Sequence, residues 1–303
     1  MTSELPPILL PDPAANSDRQ QPAGPWRAAW RRFRRQRIAM FALGVLALIV
    51  LLCVFGSILS QDTQSLQDAD SVSQAPSAQH WMGTDTLGRD LFQRVLCGGG
   101  ISLLVGIVAT AVAMVIGIAY GLISGLSGNR TDNVMMRLVD VLYGFPFMAF
   151  VILLTVVFER SLTLLFVAIG AVEWLTVARV VRGQTLALKN QEFVLAARAY
   201  GAGFWHILWR HMIPNVLGQV IIYATLTVPA IMLLEAVLSF LGLGVQPPNS
   251  SWGALIQEGA NNMETSPWLL IFPGAFFIAT LLSLNILGDA LRDALDPKSA
   301  HEG

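Results

Sequence analysis

The sequence predicts an all-α membrane protein with six transmembrane helices, and three observations carry that prediction. Of 303 residues, 54% are apolar and 13% charged, with a mean hydropathy of +0.59. A soluble domain holds about 25% charged residues, so one core in water could not take up this composition. Charge-free runs of 18 to 35 residues recur along the chain, and about 20 apolar residues suffice for one crossing. The basic residues gather on alternate loops. The net charge of −1 excludes a generally basic nucleic-acid binder, so no nucleic acid is expected as a partner. Two cysteines, Cys53 and Cys97, exclude a disulfide scaffold and a four-thiolate zinc site.

Residues 1–25 hold six of the fifteen prolines and read as a disordered cytoplasmic tail, without the basic-then-apolar order of a cleavable signal. Residues 26–37 set Trp26, Trp30 and Phe33 among arginines, the pattern of an amphipathic helix lying against membrane lipid, where it anchors the topology. Residues 38–100 comprise the first span, 38–59, and an external loop. In that loop Trp81, Leu87, Leu91, Phe92 and Val95 offer apolar faces, and Asp85, Arg89 and Asp90 can pair locally. Residues 101–290 form a five-helix core, with spans near 101–123, 140–158, 161–181, 215–236 and 267–288. The fourth is interrupted by Glu173. Residues 291–303 are a second tail. Sixteen of the nineteen Lys and Arg fall on the side of the termini, which places both termini in the cytoplasm.

The internal loop, 183–213, is too polar to span and too apolar for a solvated linker. Glu192 to Tyr200 is permissive of helix, Gly201 and Gly203 break it, and Phe204 to Met212 resumes it. Pro214 marks entry to the fifth span. The small pair Ala196 and Ala197 lets another backbone approach, and Phe204, Trp205 and Trp209 are aromatic anchors of the kind found at interfaces. A docking surface for a cytoplasmic partner is the expected role.

These residues carry a family resemblance. Ala196-Ala197-x3-Gly201, followed thirteen residues later by Pro214, resembles the EAA loop of permease subunits in binding-protein-dependent ABC importers. Gly83-Thr84-Asp85-x2-Gly88-Arg89-Asp90, Arg210-His211-x2-Pro214-Asn215, Leu238-Ser239-Phe240-Leu241-Gly242-Leu243-Gly244, Ser251-Trp252-Gly253 and Gly288-Asp289-x-Leu291-Arg292-Asp293 are similar to C-type subunits of the peptide and nickel branch, most of all to those of oligopeptide permeases. One position departs: Leu195 stands where the family usually has Glu, and Glu192, one turn earlier, is the nearest acid.

The resemblance implies the type I importer permease fold and pairing with a homologous B-type permease subunit. It implies two cytoplasmic ATPase subunits that receive the EAA helix and use ATP and Mg. It also implies a periplasmic peptide-binding protein that delivers substrate. Glu192, Ala196, Ala197, Gly201, Phe204 and Pro214 would then couple this chain to an ATPase subunit. Dipeptide and nickel permeases of the same branch remain alternatives for the cargo.

The residues themselves agree that ATP is handled elsewhere. A P-loop needs Gly-Lys-[Ser/Thr], and the two lysines, Lys189 and Lys298, follow Leu188 and Pro297. This chain is therefore expected to bind no cofactor and to catalyse nothing. His206 and His211 are five apart, not the i, i+4 of a helical zinc site, so no metal is expected. Ionisable or helix-bending residues within spans are candidates for the pathway or gate. They are Glu173, Glu235, Pro146 and Pro229; Pro273 is a further bend. Glu235 is expected near the external interface. Arg137 and Asp140 can pair along one helix, and Gly117, Gly121 and Gly125 allow close helix packing. A self-contained secondary transporter would show internal repeats, and an intramembrane enzyme would show paired catalytic groups; neither pattern is present in the sequence.

Overall fold

A computed structural model describes residues 25–59, 66–157 and 162–295. Residues 1–24 of the expected tail 1–25, and residues 296–303, lie outside the described residues, while Pro25 opens the first helix. The described chain is helical. It runs α1 (Pro25–Arg35), α2 (Arg37–Leu59), α3 (Leu91–Leu126), α4 (Asn129–Tyr143), α5 (Phe147–Val157), α6 (Leu162–Leu188), α7 (Glu192–Ala199), α8 (Phe204–Ile207), α9 (Ile213–Phe240), α10 (Trp252–Asn261) and α11 (Trp268–Leu295). Its one trace of β-structure is a single bridge between Thr84 and Asp90.

Among the described residues, four helices are long and apolar enough to cross a membrane: Arg37–Ile58, Leu91–Leu126, Phe204–Phe240 and Trp268–Leu295. The pair α4 and α5, bent by 75°, is a fifth candidate. That is four or five against the six expected. α6, expected as the fourth span, stands outside the set and carries Glu173, Arg179 and Arg182.

Several boundaries move. α3 begins at Leu91, not near 101, because the Asp90 carboxylate caps it by accepting from the Gln93 N–H. Its 36 residues reach about 54 Å at 1.5 Å each, well beyond a hydrocarbon core of about 30 Å. Gly98 to Gly100, read as loop, lie inside this helix. A Cβ on Gly99 would sit 2.5 Å from Trp252 and from Cys53 Sγ, so the missing side chains admit α10 and α2. The third span is not continuous: Pro146 stands exposed at the break before α5, and not within a helix. α6 runs unbroken through Glu173 to Leu188, so the loop expected from 183 begins at 189. Pro229 and Pro273 do sit inside α9 and α11. α11 also continues through Arg292 to Leu295, where a tail was expected.

α3 is the axis of the assembly. A Cβ on Gly117 would meet Val177 at 2.5 Å, one on Gly121 the Ala178 carbonyl oxygen at 2.6 Å, and one on Gly125 Thr185 at 2.7 Å. The three glycines thus seat α6 directly against α3, as the small-residue spacing predicts. α1 packs its apolar side inward. Ala29 and Phe33 are buried with Ala290 and Ala294 of α11, and Trp30 stacks on Phe33 at 5.7 Å between centroids. The two cysteines are free and buried.

Gly121→Leu is expected to destabilise the purified subunit by the roughly 1–3 kcal/mol that overfilling a packed contact costs. Gly183→Leu, at a position with nothing within 4 Å, serves as the neutral control. Thermal melts of the two variants in one detergent check this.

Candidate functional site

Three groups of residues stand out. The first is α7 and its connection to α9. Val194 is fully buried and ties α7 to Ile207, Leu208, Met212 and Val216, and through them to Leu122 and Leu126 of α3. The opposite face is bare. Glu192, Leu195, Ala196 and Ala199, spaced as one helical stripe, are all exposed, and Leu195 is 50% exposed. Ala197 is half-buried, so the expected small pair is split between two faces. Leu195, the departure from the family pattern, lies on the open stripe one turn from Glu192.

Backbone bonds close α7. The Gly201 N–H donates to the Arg198 carbonyl and the Ala202 N–H to the Ala197 carbonyl, at 2.9 and 3.0 Å. Gly201 has φ +81° with nothing within 4 Å of a Cβ, so the backbone conformation and not crowding demands glycine. Tyr200, at 92% exposure, and Trp205 and Trp209 extend the bare surface. Phe204 packs edge-on against Trp205 at 5.3 Å. α8 passes through a π-helical turn, Leu208–Met212, into α9, with Pro214 in its first turn. Asp132 of α4 fixes this end of the bundle. It takes two bonds from Arg182 at 2.6 and 2.7 Å and one from the Ser124 hydroxyl at 2.5 Å. The pair expected between Arg137 and Asp140 is not formed; Asp140 accepts instead from Arg179 of α6 at 2.8 Å.

The second group lies at the other end of α3. Asp85 is fully buried. It accepts from the Leu87 and Arg89 N–H groups and bonds Arg89 Nε and Arg94 Nη1, both at 2.6 Å. Arg94 also reaches Glu258 of α10 at 2.8 Å. The local pairing expected of Asp85 and Arg89 is present, while Asp90 bonds His80 at 2.8 Å. In the same loop, the Ser71 hydroxyl and the Asp70 N–H hold the Asp68 carboxyl below the usual carboxylate range. Trp252 is fully buried and donates its ring N–H to the Val95 carbonyl at 2.9 Å. Arg94 as a bridge, and Glu258 and α10 altogether, escaped the sequence reading.

The third group separates the two acids of the spans. Glu235 is fully enclosed and accepts from Ser239 Oγ at 2.6 Å and Ser102 Oγ at 3.4 Å, with Ser251 beyond. Glu173 instead lines an open cavity beside the α4–α5 break, near Pro146. Pro229 is buried within α9. The candidate pathway residues therefore do not form one cluster. Among the described residues, no group of three His, Cys, Asp or Glu is placed to hold a metal ion.

Residues 117–301 match the family described as binding-protein-dependent transport system inner membrane component. Residues 24–76 match the N-terminal transmembrane domain of oligopeptide transport permease C. The chain belongs to this family of inner membrane permease subunits. It is 53% identical to the oligopeptide transport system permease protein OppC of Escherichia coli K12, covering 90% of this chain and 91% of that one. It is 51% identical to the protein of the same name from Haemophilus influenzae, over 90% and 88%. To the dipeptide transport system permease protein DppC of Bacillus subtilis it is 43% identical, over 89% and 85%.

Asp85→Ala would leave Arg94 with Glu258 alone and would leave the Leu87 and Arg89 N–H groups without their acceptor. It is expected to cost about 1–3 kcal/mol, the range for leaving a buried donor unsatisfied. Asp140→Ala, whose partner Arg179 is exposed, should cost about 0–1 kcal/mol. Unfolding midpoints, with protease cleavage between residues 68 and 90 as a local probe, check both.

Proposed function

We propose that this chain is the transmembrane permease subunit of an ATP-driven importer of oligopeptides. It pairs with a homologous B-type permease subunit, and its α7 docks on one of two cytoplasmic ATPase subunits, which hold ATP and Mg. A binding protein on the outer side delivers the peptide. The observation that carries this reading is the exposed stripe Glu192, Leu195, Ala196 and Ala199 on a helix anchored from behind by Val194. An exposed stripe that is apolar beyond Glu192, on a short, well-anchored helix, marks an interaction site. Its packing into the α3 core supplies a route for movement. The likeness to a dipeptide permease makes shorter peptides the second reading. Uptake of labelled peptides of graded length, with and without this subunit, separates the two.

The chain crosses the membrane six times in this reading, with α6 as the fourth crossing and the bent α4–α5 pair as the third. Both termini, including the tails 1–25 and 291–303, lie in the cytoplasm. Residues 60–100 are outside, and residues 189–213 are inside beneath the permease core. The basic residues of α1, Arg32, Arg34 and Arg35 in its last turn, support that orientation, since cytoplasmic flanks collect Lys and Arg.

Ala196→Arg is expected to abolish peptide uptake with the subunit still inserted and paired, because a long charged side chain holds two docking backbones apart. Gly201→Val should do the same by straining φ +81°. Glu192→Gln should retain most activity. Uptake normalised to subunit abundance is the measurement, and normal uptake by the Gly201 variant would sink the coupling role. For topology, a cysteine at position 70 should react with an impermeant reagent in intact cells and one at position 2 should not.

A further inference from the structure

Between the α4–α5 bend and α6 lies a cavity of about 660 Å3, inside the range of about 300–1,000 Å3 typical of small-molecule sites. Tyr143, Phe145, Phe147 and Phe150 give it an aromatic wall, and Leu234 of α9 closes one side. Among the described residues, Glu173 is the single charged residue on its lining. No described side chain hydrogen-bonds or ion-pairs with that carboxylate. An unpaired carboxylate in an apolar wall is costly, and aromatic faces attract cations. The Arg179 guanidinium already lies 4.3 Å from the centre of the Tyr143 ring. One carboxylate in a largely apolar lining suits the positively charged end of a ligand.

We propose that this cavity is a transit subsite for a peptide, with Glu173 receiving the amino-terminal ammonium and the aromatic wall receiving the adjoining residue. The inference rests on the reading of the chain as a peptide permease and names where the peptide's charged end is held. The α-ammonium is the one cation that every unmodified peptide carries, whereas its side chains vary. A carboxylate at this place serves peptides regardless of sequence.

The test uses the whole importer in proteoliposomes, with its partner permease, ATPase subunits and binding protein. Three labelled peptides are compared: one free of Lys, Arg and His, its N-acetylated form, and an N-acetylated form bearing one Lys. Glu173→Gln preserves shape and removes charge, while Glu173→Asp preserves charge. Uptake of the free-amino peptide should fall about tenfold or more with Gln, the worth of a hydrogen bond to a charged group. It should be largely kept with Asp. Uptake of both acetylated peptides should be the same in the variant as in the wild type. The binding protein's own preference cancels in each variant-to-wild-type ratio.

Retention of uptake with Gln overturns the proposal, as does an equal loss on free and acetylated peptides. A loss confined to the Lys-bearing peptide overturns the assignment to the α-ammonium. Failure of the Gln variant to co-purify with the partner permease overturns it by making the cavity a subunit interface. A wild-type importer that moves none of the peptides instead removes the peptide-permease reading beneath it. That result is distinct from an active wild type whose variants do not discriminate.

Discussion

At Gly99, Gly106, Gly117 and Gly121 of α3 a neighbouring helix occupies the space that a Cβ would fill. Lipid tails are as apolar as leucine, so helices in a bilayer gain little from hiding apolar surface from one another. They gain from close approach and the contacts that follow. The glycines of α3 provide that approach on several sides: Trp252 of α10 and Cys53 of α2 at one end, Met232 of α9 in the middle, and Val177 and Val181 of α6 at the other. Each neighbour is placed by a missing side chain, and so the relative positions of α2, α6, α9 and α10 all descend from one helix.

The two ends of α3 are then fixed by charge. Asp132, Ser124 and Arg182 join α4, α3 and α6 at the α7 end. Asp85, Arg94 and Glu258 join the preceding loop, α3 and α10 at the opposite end. Buried charges of this kind are weak net stabilisers compared with apolar packing, but losing one partner is expensive. They therefore set which arrangement is allowed more than how stable it is. Apolar contacts in the middle can slide by small amounts, whereas the terminal networks have discrete partners.

Hydropathy reads how a residue partitions and not what it pairs with, and the limits of the sequence follow from that. The charge-free runs located most of the long helices. The spacing of Gly117, Gly121 and Gly125 predicts close helix packing without naming the partner, which is α6, and Gly201 ends α7 as its break of the helical pattern predicts. The lengths were less legible. The Asp90 cap, which starts α3 ten residues early, works by a local hydrogen bond that carries no apolar signal. α10 is only ten residues long and lies beside Pro247 and Pro248, so its helical character was masked by turn-forming neighbours. The Arg94–Glu258 bond joins positions 164 residues apart, and Asp140 chose Arg179 over its own helix neighbour. In both cases the partner is set by packing that no local window contains. Glu173 and Glu235 looked alike in sequence, as single acids in apolar runs. Three serines from separate segments enclose one, and a helix break opens a cavity against the other.

Force applied to α7 has few places to dissipate. Val194 is held by Ile207, Leu208 and Met212, and those residues rest on Leu122 and Leu126 of α3, so α7 cannot shift alone without opening a gap. Interiors packed at this density respond by moving rigid elements and not by yielding locally. The π-helical turn at Leu208–Met212 is the least regular point on this route, since i→i+5 turns interrupt the usual ladder. It sits between the short helix α8 and the 28-residue α9. α7 is thus joined to α9 through that turn and to α3, on whose glycines α6 is seated. α3 runs from the α7 end to Trp252 and the Arg94 network at the other. The bent α4–α5 pair is tied to α6 through Asp132–Arg182 and Asp140–Arg179, and the cavity beside Glu173 lies between them. Geometry thus joins three surfaces that the sequence shows only as separate motifs.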